Sequence, residues 1–303
     1  PSAIRVMMSE SSMVTVLTGP TAGGKSAQAL ALAQARPSVI INADASQLYA
    51  DLAIITARPG PADTAAVPHR LYGVLDGDAV ATAAQWAEMA KAEIAAAHAQ
   101  GRHPIIVGGT GMYIATLIDG IAPMPAIPEA VRQAVRALAP AEAQTVLARE
   151  DPVMAARLKP GDRQRIARAL EVVRATGQSL AWWQQQPRIG GIGRAAVHGL
   201  VVDRPRPELH ARAEARLDAM LAGGALAEVD RLVARGLPAD RPVLRALGVP
   251  ELAAVLAGSM DMATARAAIL HATRQYQKRQ QTWARQQCAD WERIGATMAG
   301  LRP

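Results

Sequence analysis

"VLTGPTAGGKSAQ", residues Val16 to Gln28, leaves an apolar run at Gly19, crosses a glycine-rich turn and enters helix-forming residues at Lys25. Gly19 to Ser26 has the spacing G-x-x-x-x-G-K-S, and the pattern carries meaning only with a strand before it and a helix after it. Both are present here. In that setting successive backbone N–H groups of Gly19, Thr21, Ala22, Gly23 and Gly24, together with a helix N-terminus, turn positive potential toward an anion. Lys25 adds a mobile charge and the Ser26 hydroxyl is placed to reach Mg²⁺. The competing reading is a tight strand-to-helix turn with a chance lysine. A phosphate-bearing ligand is expected; loops of this form commonly hold ATP, and these residues alone leave open whose phosphate is bound.

Working outward, "MVTVLTG" (Met13 to Gly19), "PSVIINAD" (Pro37 to Asp44) and "HPIIVGGTG" (His103 to Gly111) are short, rich in β-branched residues and bounded by turn formers. Helical stretches separate them, the clearest being Thr82 to Gly101, with a capping Thr at one end and Gly at the other. The alternation predicts a parallel sheet with helical crossovers. After Leu117 to Pro128 the texture changes. Glu129 to Thr176 reads as arginine-rich helices, Gln186 to Arg194 as an exposed linker, and Ala195 to Val202 as a strand again. The expected fold is α/β: a P-loop-containing parallel-sheet core in two parts, 1–120 and 191–303, interrupted by a helical insertion at 121–190. Long helices are expected from Pro205 to Arg235 and from Asp261 to about Gln287.

The 303 residues carry 33 Lys+Arg against 26 Asp+Glu, which favours an acidic macromolecular partner. Only four of the cations are lysines, so Lys25 and Lys278 stand out. A single cysteine, Cys288, excludes an internal disulfide and a cysteine cluster for zinc. "PSAIRVMMSESSM" holds no apolar run of signal-peptide length, and no later segment supplies the roughly 18 apolar residues of a membrane helix. A cytoplasmic protein, off the membrane, is expected.

In doubly wound sheets the ligand lies beyond the carboxyl ends of the strands. Asp44, after "VIIN", and "GGTG", Gly108 to Gly111, after "IIV", share that edge with the loop. Asp44 suits a general base or a metal-organising carboxylate, or else caps "ASQLYADL" as a helix; Thr110 suits a phosphate oxygen, or else "GGTG" is one more helix entry. Arg274, Lys278, Gln281 and Arg285 fall on one helical face, with Tyr276 and Trp283 on the other. Such a stripe fits a nucleic-acid backbone, or is simply a solvated face. "GDRQRIARALE" repeats the theme in the insertion. His69, His98 and His271 have no ligand spacing.

With these segments in view, the chain resembles the tRNA dimethylallyltransferases, also called tRNA isopentenyltransferases. The matches are "GPTAGGKS", "NADASQLY" (Asn42 to Tyr49), "TARP" (Thr56 to Pro59), "PHRLYG" (Pro68 to Gly73), "VGGTGMY" (Val107 to Tyr113), "DRQRIARALEV" (Asp162 to Val172), "HARAEARLDAML" (His210 to Leu221) and "TRQYQKRQQTW" (Thr273 to Trp283). They stand in family order from about residue 13 to 285. The resemblance implies that the loop holds not ATP but the diphosphate of dimethylallyl diphosphate. It implies transfer of the dimethylallyl group to N6 of the adenosine at position 37 of tRNAs reading codons that begin with U.

By that resemblance Asp44 is the base, because the delocalised exocyclic amine of adenine must lose a proton as the new bond forms. Lys25, the loop amides, Mg²⁺ on Ser26 and Arg216 neutralise the leaving diphosphate, and Thr110 stands near its bridging oxygen. The adenine must be extruded from its stack to reach them. Contacts to the tRNA anticodon stem-loop fall, again by resemblance, to Asp44, Ala45, Ser46, Gln47, Arg132, Gln164, Arg165, Arg168, Arg245, Lys278, Arg279, Gln281 and Arg285. A monomer is expected.

One departure is local: the family's R-x-x-G-Y and following basic residue are here Arg245-Ala-Leu-Gly248-Val249-Pro250. Rival readings are a P-loop small-molecule kinase, a prenyltransferase of free adenine nucleotides, and an RNA-binding module with an inactive loop.

Overall fold

A computed structural model of the chain describes residues 13–295. The segment Pro1 to Ser12, which makes up nearly all of the run inspected for a leader, lies outside the described residues. The chain divides into two units. One comprises the chain up to Ile118 and again from Ile192 onward; the other is Asp119–Gly191.

The first unit is built on a six-stranded sheet: β1 (Val14–Thr18), β2 (Ser38–Asn42), β3 (His69–Arg70), β4 (His103–Val107), β5 (Val197–Val202) and β6 (Glu292–Ile294). Every pairing is parallel, in the order β3-β2-β4-β1-β5-β6. The four strands foreseen from sequence are thus joined by two short edge strands. With two and three residues, β3 and β6 are too short to carry a periodic signal.

Alternation along the strands separates two cores. Val14, Val16, Val39, Ile41, Ile106 and Val197 face α3 (Ala83–Ala99) and α4 (Gly111–Asp119), whose Trp86, Ala90, Ile94, Ile114 and Leu117 complete that layer. Leu17, Ile40, Ile105, Val107, Leu200 and Val202 face the other way, toward Ala29 and Ala33 of α1 (Lys25–Ala35). A sheet covered on both faces explains why its strands read as continuous apolar runs. The short helix α2 (Pro61–Ala66) precedes β3.

α3 begins where its sequence says it should. The Thr82 side chain accepts the Gln85 N–H at 3.2 Å and Gln85 returns the bond to the Thr82 N–H at 3.0 Å, a reciprocal cap.

The second unit contains α5 (Glu129–Arg136), α6 (Pro140–Glu150), α7 (Pro152–Arg157), α8 (Arg163–Thr176) and α9 (Leu180–Gln184) around Leu147, Ile166, Leu170 and Val172. Asp151 is buried and organises two helix starts. It caps α7 through the Met154 N–H at 3.1 Å and takes the Ser179 hydroxyl, itself the cap of α9, at 2.9 Å.

Beyond β5, the single helix expected from Pro205 to Arg235 is two: α10 (Arg206–Ala222) and α11 (Ala225–Ala234). The break falls at Gly223-Gly224, where Gly224 takes φ +97°, a conformation that other residues resist. α12 (Val249–Leu256) follows a 3₁₀ turn at Pro242–Arg245, and α13 (Met262–Gln287), close to the bounds expected, is capped by Asp261. Tyr49, Leu52, Ile55, Leu217, Val229, Leu252 and Ile269 make the third core of this unit. No described helix is long and apolar enough to cross a membrane.

Candidate active site

The carboxyl ends of β1, β2 and β4 open onto one cavity of about 570 Å³. Thr21, Ala22, Gly24, Lys25 and Ser26 line it from the loop, Asp44 and Gln47 from the segment after β2, and Arg212 and Arg216 from α10. Gly19 and Gly23, of the same loop, are buried and do not line the cavity. A Cβ on Gly19 would sit 2.6 Å from the Val202 carbonyl oxygen of β5, so that close approach requires glycine.

Lys25 donates to the carbonyls of Gly19 at 3.0 Å and Pro20 at 2.9 Å. Burial lowers its pKa to about 8, with the Asp44 carboxylate opposing that fall and Arg216 adding to it. Arg216 donates to the Thr56 carbonyl at 3.0 Å; burial lowers its pKa, the Asp44 charge again opposing, and a guanidinium remains cationic at neutral pH regardless.

Asp44 owes its position to Asn42, which is fully buried at the end of β2. The Asn42 side chain accepts the Asp44 N–H at 2.7 Å and donates to the Asp44 carbonyl at 2.9 Å and the Leu71 carbonyl at 2.9 Å, while its own carbonyl takes the Trp86 indole N–H at 2.8 Å. Asp44 Oδ1 accepts the Ser46 N–H at 3.0 Å, so the residue does shape the turn into the short 3₁₀ segment Ser46–Leu48. No longer helix follows. Among the described residues Asp44 forms no ion pair, and its charge is felt by the phenols around it. Burial first and Asp44 second push Tyr276 up to about 12 and hold Tyr72, which lines the cavity, well above its ordinary value.

Thr110 is not in the cavity lining; it sits at the next turn. Its hydroxyl oxygen accepts the Ala45 N–H at 3.0 Å, its own O–H is directed to the Tyr276 phenol, whose upward shift that bond opposes, and its N–H bonds the Ala43 carbonyl at 3.1 Å. Two glycines of the "GGTG" segment are needed because α13 crosses it, since a Cβ on Gly109 would meet Gln280 at 1.9 Å and one on Gly111 would meet Trp283 at 2.5 Å; a Cβ on Gly108 would meet the Ala43 backbone at 2.2 Å.

The remaining expected residues divide by unit. Arg245 is exposed at the end of its 3₁₀ turn, near enough to Tyr49 to oppose that phenol's upward shift. Val249 is buried in the third core and Pro250 occupies the first turn of α12, where a missing N–H costs nothing. The sequence's departure at this point therefore serves helix start and packing. Lys278, Arg279 and Arg285 are exposed on α13, with Gln281 half-buried among them, and Arg279 stacks over Tyr276 at 5.5 Å. Arg274 is paired with Glu214 at 2.7 Å. Arg132, Gln164, Arg165 and Arg168 belong to the second unit, where Arg165 pairs with Asp162 at 3.1 Å and Arg168 with Glu171 at 3.5 Å.

Several site residues escaped sequence reasoning. Arg212 donates to the Ala22 carbonyl at 2.8 Å and Arg204 to the Gly23 carbonyl at 2.8 Å, so two further guanidiniums flank the loop. Arg204 was findable, since it follows β5 at the same sheet edge. Gln277 and Gln280 were hidden by their neighbours' charges. Gln280 accepts the Thr21 N–H at 2.7 Å and donates to the Gly109 carbonyl at 3.1 Å, and Gln277 donates to the Thr21 carbonyl at 3.0 Å.

A cation-lined loop facing a lone carboxylate is the setting for anion departure coupled to proton removal. A sequence profile described as IPP transferase matches residues 47–287. The chain belongs to the IPP transferase family. The family profile starts just past Asp44, and full-length relatives extend the likeness. A tRNA dimethylallyltransferase of Sphingopyxis alaskensis is 54% identical over 283 residues, 92% of each chain. One from Zymomonas mobilis is 49% identical over 93% of this chain and 90% of its own. Among solved structures, a tRNA isopentenylpyrophosphate transferase of Bacillus halodurans superposes with a TM-score of 0.68 at 27% identity, covering 94% of this chain and 90% of that one. A eukaryotic dimethylallyltransferase acting on tRNA gives a TM-score of 0.78 at 25% identity, over 95% of this chain and 74% of its own. The IPP transferase family thus supplies an enzyme class for a site whose cations and carboxylate are already in place.

Proposed function

We propose that this protein transfers the dimethylallyl group from dimethylallyl diphosphate to N6 of the adenosine at position 37 in the anticodon loop of tRNAs reading codons that begin with U, releasing diphosphate. The observation that carries the reading is the shared cavity: the glycine-rich loop and a carboxylate that forms no ion pair among the described residues line the same space. A kinase reading explains the loop and could use Asp44 for Mg²⁺, but it leaves the arginine-rich second unit and the cationic face of α13 without a task.

In this scheme the diphosphate lies on the Gly19–Ser26 loop, against its amides and the start of α1. N6 of the extruded adenine attacks C1 of the donor as the C1–O bond breaks. The bonding electrons leave on the bridging oxygen, and the N6 proton passes to Asp44. Lys25 and Arg216 meet the charge that grows on the leaving group. Stabilisation of this kind is worth roughly 3 kcal/mol for one well-placed donor. The Thr110 hydroxyl, which touches Asp44's turn by accepting the Ala45 N–H, is assigned to the bridging oxygen.

Mg²⁺ fits this donor set as a companion of the substrate. Among the described residues no group of three His, Cys, Asp or Glu side chains is placed to hold a metal, whereas the exposed Ser26 hydroxyl faces the cavity. One protein oxygen with phosphate oxygens and water is a usual Mg²⁺ environment. Ser26 would hold it, and the ion would add charge neutralisation on the diphosphate. Ala45 to Gln47, Arg245, Lys278, Arg279, Gln281 and Arg285, with Arg132, Gln164, Arg165 and Arg168 of the second unit, are assigned to the anticodon stem-loop, and the chain is taken to act as a monomer.

The test compares acceptors. With labelled dimethylallyl diphosphate and Mg²⁺, label should enter an anticodon stem-loop that carries adenosine at position 37. It should not enter a loop lacking that adenosine, nor free AMP. Labelling of AMP alone, or ATP consumption without RNA, would assign the site to a rival.

A further inference from the structure

The Asp51–Arg58 segment, whose Ala57 lines the cavity, belongs to no regular element beyond turns. Three consecutive amides in it point one way. Ala53 N–H bonds Glu228 Oε1 at 2.7 Å, Ile54 N–H bonds Oε1 at 2.9 Å and Oε2 at 3.1 Å, and Ile55 N–H bonds Oε2 at 2.9 Å. Glu228 comes from α11 and is 4% exposed. A carboxylate so deeply buried is retained only where hydrogen bonds replace its hydration, and here backbone donors supply them.

The same segment then holds two cavity-lining side chains. The Thr56 carbonyl accepts Arg216 Nη2 at 3.0 Å and Gln47 Nε2 at 2.8 Å, and the Ala57 carbonyl accepts Gln47 Nε2 at 3.1 Å. Ala57, at φ +49°, carries the backbone strain of that turn. Glu228 therefore fixes three amides, the amides fix the carbonyl of Thr56, and that carbonyl aims Arg216.

We infer that Glu228 is a positioning residue for the transfer reaction, acting through the 53–57 turn on Arg216. This rests on the assignment of Arg216 to the leaving diphosphate. Glu228→Gln is nearly the same size, but it turns one acceptor oxygen into an N–H donor facing N–H groups.

Four proteins decide it: wild type, Glu228→Gln, Arg216→Ala and the double variant. Arg216→Ala should lose about 100-fold in kcat, as removal of a transition-state donor does. Glu228→Gln should lose about tenfold in kcat with little change in KM for the stem-loop, and the double variant should fall within about twofold of Arg216→Ala, because the two act as a unit. Amide hydrogen exchange at residues 53–55 should quicken in Glu228→Gln. Affinity for inorganic pyrophosphate, measured on the same four proteins, should show the same non-additivity, so the inference is tested even if the acceptor were wrongly assigned. If Glu228→Gln does not fold, Glu228→Asp, which keeps the charge and shortens the reach, takes its place in the set. Fully multiplicative effects, or a lowered Tm with unchanged kcat and pyrophosphate affinity, would reduce Glu228 to a fold-stabilising residue and overturn the inference.

Discussion

Lys25 holds its charge under two opposed influences. Burial and Arg216 favour the neutral amine, the Asp44 carboxylate favours the ammonium, and the balance lies at about 8, well below an ordinary lysine. In the free enzyme Lys25 is thus mostly charged at pH 7 and becomes neutral as the pH passes 8. Since kcat/KM reports groups of the free enzyme, its value for dimethylallyl diphosphate should fall on the alkaline side with an apparent pKa near 8. A bound diphosphate favours the ammonium, so the corresponding limb in kcat should move to higher pH. A Lys25→Arg variant, whatever its residual activity, should lack the alkaline limb in a pH profile of kcat/KM. Persistence of that limb would assign it to another group. Residues of this kind were legible in the chain: the loop, Asp44 and Thr110 are marked by position after a strand. Glu228, Arg212 and Tyr72 were not, because their roles come from contacts made across 28 to 190 residues of sequence that no local pattern encodes.

At the scale of elements, α13 has two faces with different work. Its exposed side presents Lys278, Arg279 and Arg285; its buried side presents Thr273, Gln277, Gln280 and Ala284. The cationic stripe was visible in the sequence because charge repeats at helical spacing. The glutamine face was not, because a buried glutamine looks like a solvated one until its partners are known. Gln280 joins the loop at Thr21 to the turn at Gly109, and so ties together the two segments that follow β1 and β4. Removing it leaves the part-buried Thr21 N–H and the buried Gly109 carbonyl without this partner, at about 1–3 kcal/mol for the buried group. Gln280→Ala should therefore lower Tm and, more tellingly, reduce kcat/KM for the prenyl donor by about tenfold, on the order of 1.4 kcal/mol. Unchanged donor kinetics in a folded Gln280→Ala protein would show that the brace serves stability only. The break in the Pro205 to Arg235 helix had its signal in the Gly223-Gly224 pair. High alanine content had made helix propensity uniform across it.

For the molecule as a whole, the excess of 33 basic over 26 acidic residues is not spread as a uniform coat. Arg235, Arg241 and Arg266 are neutralised by Asp51 and Asp76, by Asp78 and Asp240, and by Asp218. Arg212, Arg216 and Lys25, with Arg204 paired to Glu208, surround the phosphate loop, and Lys278 stands exposed on α13. The parallel sheet places that loop and Asp44 at one edge, so that both line one cavity, as the proposed coupling of anion departure to proton removal requires. The central claim is that Asp44 takes the proton from the attacking adenine amine. The most direct measurement is a single-turnover transfer from labelled dimethylallyl diphosphate to the anticodon stem-loop, comparing wild type with Asp44→Asn at equal saturation of both substrates. Loss of a positioned base should slow transfer by about 10² to 10⁴, with binding of donor and stem-loop nearly unchanged. Transfer by Asp44→Asn at the wild-type rate would contradict the account.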